Sequence, residues 1–130
     1  MKILIVGGDN ALLSSLTEEV ESRDFEVLPT HFGDGGLDLY KKHGLWELVL
    51  TDYRFFPGTK IRDGVQLLAA IHGTNPFQQM AIMAADPKEV REKLPEALRN
   101  LPVLRKPFRI EELLRLLRQP VLPFNTMEVQ

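Results

Sequence analysis

Residues 48–52 read Leu48-Val49-Leu50-Thr51-Asp52, an apolar run that ends in a carboxylate. A short, nearly continuous apolar run is the pattern of a strand buried on both faces, as in a parallel sheet. Two other runs have the same form. Residues 2–6 open the chain and lead into Gly7-Gly8-Asp9, and residues 101–104 come just before Lys106-Pro107. Three buried strands whose C-terminal ends deliver a carboxylate, a lysine and a loop make one site at the edge of a parallel α/β sheet.

Outward from these runs, strand patterns alternate with helix patterns, which predicts successive βα units. The strands are expected at 3–6, 25–28, 48–51, 80–84 and 102–104. Asn10 suits the cap of a first helix, whose Leu12, Leu13, Leu16 and Val20 are spaced as one buried face. A second helix spans 34–43, weakened by Gly35 and Gly36 and anchored by Leu37 and Tyr40. A third spans 65–72 and is broken by Gly73-Thr74-Asn75-Pro76. Asp86 suits the cap of the fourth and Pro87 its first turn. Its expected face is Val90, Leu94, Ala97 and Leu98, with Pro95 kinking or shortening it. The last helix, 110–118, is strongly amphipathic through Leu113, Leu114 and Leu117, with Arg115 and Arg118 favouring its C-terminal end. Five such units predict a three-layer α/β/α sandwich.

Composition narrows the function. The chain has 130 residues, the size of one domain, and 44% of them are apolar, enough for a packed core. A formal charge of −2 supplies no basic field for nucleic acid or for an anionic membrane. Cysteine is absent, which removes disulfides and thiolate chemistry. No apolar stretch has the length of a membrane span, and the opening run is too short for a signal-peptide core, so the expected location is cytoplasmic.

The spacing of Asp52, Lys106-Pro107-Phe108 and the Gly7-Gly8-Asp9 loop resembles the receiver domain of bacterial two-component response regulators, over residues 1–119. Residues 120–130 then read as a C-terminal tail or linker stub. The resemblance implies a flavodoxin-like, doubly wound, five-stranded parallel sheet of order 2-1-3-4-5. It implies that Asp52 is the phosphoacceptor position, that Lys106 pairs with the aspartate and later the phosphate, and that the Lys106-Pro107 bond is cis. An aspartate suits the role because a carboxylate nucleophile gives a hydrolysable acyl phosphate. The implied role is signalling and not enzymatic. The implied partners are a histidine kinase, a phosphotransfer protein or another signalling protein, with a homodimer through the last helix–strand–helix face as a further candidate, and no nucleic acid or membrane.

Three departures from the pattern stand out, beside one candidate for a replacement cation. The acidic pair that would hold Mg²⁺ falls on Gly7 and Gly8, which have no side chain, so the acidic pocket is degenerate; Asp9 and Asp52 are the remaining candidate ligands and Mg²⁺ binding is expected to be weak. The switch hydroxyl at the end of the fourth strand is replaced by Ala84, and the switch aromatic by Val103. The Asp63-Gly64 pair lies further beyond Asp52 than the resemblance implies, and the intervening loop carries Phe55-Phe56, which either fold back on the domain or meet a partner. Finally, Arg54 is a candidate surrogate cation that either bridges to Asp52 or faces solvent. The reading is a receiver domain with weakened metal binding and phospho-switching that acts mainly by protein contact. One alternative is a working phosphoacceptor at Asp52. Another is a small flavodoxin-like protein using Gly7-Gly8 as an anion or nucleotide loop, although G-x-G-x-x-G is absent. His31, His43 and His72 share no metal spacing and read as surface residues away from the site.

Overall fold

A computed structural model describes residues 1–7, 10–55 and 60–118. The element order is β1 (Lys2–Val6), α1 (Asn10–Glu21), β2 (Glu26–Thr30), α2 (Gly33–His43), β3 (Leu48–Asp52), α3 (Gly64–Thr74), β4 (Met80–Ala84), α4 (Pro87–Lys93), a 3₁₀ turn (Glu96–Leu98), β5 (Val103–Arg105) and α5 (Ile110–Arg118). All strand pairings are parallel and the order is β2-β1-β3-β4-β5, the doubly wound arrangement expected. The tail from residue 119 and the dipeptide Gly8-Asp9 lie outside the described residues.

Strand alternation sorts the core into two layers. Leu4, Val6, Val49 and Ile82 face α2, α3 and α4, where they meet Tyr40, Leu67, Leu68, Ile71 and Val90. Ile3, Ile5, Leu50 and Met83 face α1 and α5, where they meet Leu13, Leu16, Val20 and Leu113. The central strands β3 and β4 are buried along their whole length, which is why they read as apolar runs without alternation.

Several boundaries differ from expectation for local reasons. β2 runs to Thr30, straight through Pro29. Glu26 N–H bonds inward to Met1 O, and Thr30 O accepts from Gly7 N–H, so Pro29 takes the outward-facing register on an edge strand, where a missing N–H breaks no ladder bond. β5 begins one residue late, at Val103, although the Pro102 carbonyl already accepts from Ile82 N–H. α4 stops before Pro95, and the 3₁₀ turn that follows buries Leu98 but leaves Ala97 exposed, so Ala97 does not belong to the expected apolar face. Asn10 is itself a helical residue of α1 rather than its cap.

α3 begins at Gly64, with Asp63 as its cap accepting from Gln66 N–H at 2.9 Å. Gly64 is required by close approach: a Cβ there would run into the Asp52 carbonyl oxygen and lie 3.1 Å from the Thr51 methyl. The first turn of α3 is thereby pressed onto the end of β3, and Gly64 N–H bonds to Tyr53 O at 2.8 Å. Gly64→Ala is expected to destabilise the fold by about 1–3 kcal/mol, because backbone and not a flexible side chain must give way. A urea midpoint unchanged in this variant would show that α3 can lift off without cost.

Candidate functional site

Asp52 closes β3 in register with Met83 of β4, and Ala84 sits opposite Arg105 of β5. Asp52 and the residue after Arg105 therefore meet across the end of β4. Lys106 is held by its N–H to Ala84 O at 2.8 Å and by a cis bond to Pro107. Its Nζ donates to both carboxylate oxygens of Asp52 at 3.0 Å. The Asp52 side chain is only 5% exposed, so the lysine supplies the charge that makes a buried carboxylate tolerable.

Above this pair lies a cleft of about 220 Å³ lined by Asp52, Tyr53, Arg54, Ala84, Ala85, Asp86, Glu89 and Lys106. Arg54 does not bridge to Asp52. Its Nη2 lies 2.6 Å from Glu89 Oε1 of α4, and its guanidinium sits 5.2 Å over the Tyr53 ring. The Tyr53 ring is buried, and burial pushes its hydroxyl above the ordinary 10.0; the negative charges of Asp63 and Glu89 add to this and Arg54 offsets it. Asp86 spends its carboxylate on the α4 cap, accepting from Lys88 N–H at 3.1 Å.

Solved structures with this fold are numerous. A signal receiver domain of an HD domain-containing protein from Pseudomonas fluorescens Pf-5 superposes with a TM-score of 0.76 at 25% identity, covering 91% of both chains. A response regulator receiver protein from Sinorhizobium medicae WSM419 gives 0.73 at 21% identity, covering 92% of this chain and 95% of the other. A CheY-like receiver domain protein from Methanospirillum hungatei JF-1 gives 0.70 at 21% identity, covering 91% and 90%. The chain has the fold of a receiver domain. No protein-family model matches it, and no curated protein does either.

Within this receiver fold, Ala84 ends β4 at the cleft and offers only a methyl group, and Val103 opens β5 half-buried. Gly7 ends the β1 run with room beside it: a Cβ would meet nothing nearer than Leu13 and Met83 at 3.9 Å. Gly7 N–H is spent on Thr30 O at 2.9 Å, which removes that donor from any anion loop. Among the described residues, no group of three or more acidic or histidine side chains comes together to hold a metal. In the described part of the cleft the one buried carboxylate, Asp52, is paired with Lys106, and Asp86 and Glu89 each hold another partner, which leaves a sparse set of ligands for Mg²⁺. Asp9 lies outside the described residues.

Other positions were less legible in the sequence. His31 is not remote from the β1 end: its Nδ1 lies 3.0 Å from Gly7 O and the residue is half-buried. His72 is also half-buried, with Nδ1 unpartnered among the described residues, whereas His43 is exposed with its ring edge-on to Trp46. Phe55 folds back against Gly33 and Ile61, while Phe56 lies outside the described residues. Glu89, the partner of Arg54, carried no signal of its own, since a glutamate on a short helix resembles any solvated face. Among the described residues, no helix is long and apolar enough to cross a membrane.

Proposed function

We propose that this chain is a receiver-type module of two-component signal transduction that acts mainly through protein–protein contact, with Asp52 at the phosphoacceptor position. The observation that carries the reading is the Asp52–Lys106 pair, a buried carboxylate held by an ammonium at 3.0 Å at the C-terminal edge of a doubly wound sheet. The output side of the reading rests on Ala84 and Val103. A hydroxyl and an aromatic at these places would let a phosphoryl group favour one arrangement of the α4–β5–α5 face, and without them a modification discriminates little between arrangements. The face then binds its partner in either state. That partner is a histidine kinase, a phosphotransfer protein, another signalling protein or a second copy of the chain; nucleic acid and membrane are not partners.

Asp52→Asn and Asp52→Glu are expected to leave self-association or partner binding within about threefold of the native chain, short of the roughly 1.4 kcal/mol of a tenfold change. Sedimentation velocity of the three proteins reads this directly. A larger shift would favour the second reading, a fully switching phosphoacceptor, which the two-oxygen contact of Lys106 also suits.

Mg²⁺ affinity belongs to the same proposal. Gly7 and Gly8 offer no carboxylate, so binding is weak, and replacing both with aspartate is expected to tighten it by about tenfold or more. A Cβ at Gly7 would make only ordinary contacts, with Leu13 and Met83 at 3.9 Å, so the backbone there accepts a side chain. Equal Mg²⁺ saturation of the native and doubly substituted proteins, followed by calorimetric titration, would show that the glycines are not the cause.

A further inference from the structure

The pole of the sheet opposite Asp52 carries a cavity of about 550 Å³, with Met1, Lys2, Lys41, Leu45, Trp46 and Glu47 among its walls. Three of the four large apolar side chains that stand in solvent among the described residues belong to this pole: Leu45 is 94% exposed, Met1 76% and Phe77 63%. Met1 and Leu45 line the cavity, and Phe77 sits in the α3–β4 turn between Asn75 and Gln78 of its wall. Apolar side chains gathered around a concave patch and rimmed by polar ones are the pattern of a contact surface. Leu45 is the strongest of the three. It follows Gly44 and takes φ 36°, in the left-handed region that glycine or asparagine enters readily and leucine does not. A side chain so exposed adds nothing to the core, so neither turn chemistry nor packing accounts for leucine at this place.

We propose that this pole is a docking groove for an amphipathic helix of a partner protein, with the helix's apolar side chains entering the cavity and an acidic flank against Lys2 and Lys41. The mode follows from where the cavity lies. It opens at the ends of the strands, where there is no ladder edge to extend, so a partner strand has nothing to pair with. A helix presents side chains at i, i+3 or i+4, and i+7 to such a groove and spends no backbone hydrogen bond on it. A small molecule sunk in the cavity would leave Leu45 and Phe77 in solvent, whereas a helix laid across the rim covers them. The charge of the partner follows from the rim. Two ammonium groups, Lys2 and Lys41, face one carboxylate, Glu47, which leaves one positive charge at this pole of a chain whose formal charge is −2. Lys2 lies 5.2 Å over the Trp46 ring and donates to His43 O at 2.7 Å, so Lys41 is the freer of the two cations. The groove lies at the other end of the strands from Asp52, and its contact does not depend on the state of that carboxylate.

The test titrates the protein with a lactam-bridged helical peptide of about 15 residues, with leucines at i, i+3 and i+7 and glutamates beside them. Trp46 fluorescence follows binding, since the single tryptophan lines the groove. A second peptide carries lysine in place of each glutamate. The acidic peptide should bind saturably and about tenfold or more tighter than the basic one. Leu45→Asn and Lys41→Glu should each weaken it by about tenfold or more, and Asp52→Asn should leave it within about threefold. Leu45→Asn should also raise the urea midpoint, because asparagine suits left-handed backbone, so that lost binding cannot be lost folding. Equal binding of the two peptides, binding indifferent to Leu45→Asn, or no saturable binding overturns the inference. Leu45-dependent binding to phosphatidylglycerol vesicles, or a Leu45-dependent dimer in sedimentation velocity, also overturns it and gives the groove to lipid or to a second copy. None of these outcomes touches the reading of Asp52 as the phosphoacceptor position.

Discussion

Lys106→Met is expected to cost about 3–5 kcal/mol of folding stability at neutral pH, the effect of leaving a buried charge without its partner. Asp52 is the only fully buried carboxylate among the described residues, and Lys106 holds both of its oxygens. Methionine keeps the length and apolar stem of the lysine, so packing changes little and the charge changes most. The cleft above Asp52 admits water, which places the loss toward the lower end of that range. Urea denaturation of the native chain, Lys106→Met, Asp52→Asn and the double variant completes a cycle. The double variant should recover most of the loss, because no buried charge then remains. A loss below about 1 kcal/mol in Lys106→Met would mean that the carboxylate is solvated well enough without the lysine.

Gln78→Leu should be nearly as damaging, at about 2–4 kcal/mol, although it lies at the opposite pole of the sheet. Gln78 is buried just before β4. Its Oε1 accepts from the Tyr40 hydroxyl at 2.9 Å, and its Nε2 donates to Trp46 O at 3.0 Å and Gln79 O at 3.1 Å. Trp46 Nε1 in turn donates to Tyr40 O at 3.1 Å, with the two rings stacked 6.3 Å apart. One side chain thus ties the end of α2, the entry to β3 and the entry to β4. Leucine fills the space but satisfies none of these groups, and unpaired buried polar atoms cost more than the bonds themselves contribute. Trp46 is the only tryptophan, so its fluorescence reports this pole alone. Tyr40→Phe, which removes one donor and leaves the amide in place, should lose only about 1 kcal/mol. If the two variants were equally stable, the amide would not be the hub.

The sheet was legible because β3 and β4 are buried on both sides, so composition alone marks them. Asp52 and Lys106, 54 positions apart, could be brought together on paper because each follows such a run. Arg54 was harder. A long, exposed side chain takes whichever opposite charge the neighbouring elements present, and the distance from Arg54 to Glu89 depends on how α4 lies over β4, which no local pattern encodes. His31 was misjudged for a related reason. Its closeness to Gly7 O comes from the parallel register of β1 and β2, a pairing between segments far apart in the chain. The continuation of β2 through Pro29 depended on which way a single nitrogen faced.

Pro29 has a second consequence, which concerns the company the protein keeps in a concentrated solution. A parallel sheet has two open edges, and an edge with a continuous row of free backbone donors recruits strands from other chains. Here one edge, β2, carries Pro29 on its outward register, so that row is interrupted. The other edge, β5, is three residues long, is preceded by Pro102 and ends in an exposed Arg105. Neither offers enough template for strand addition. Among the described residues, both sheet edges therefore disfavour strand addition between copies, which points any self-association toward the helical faces.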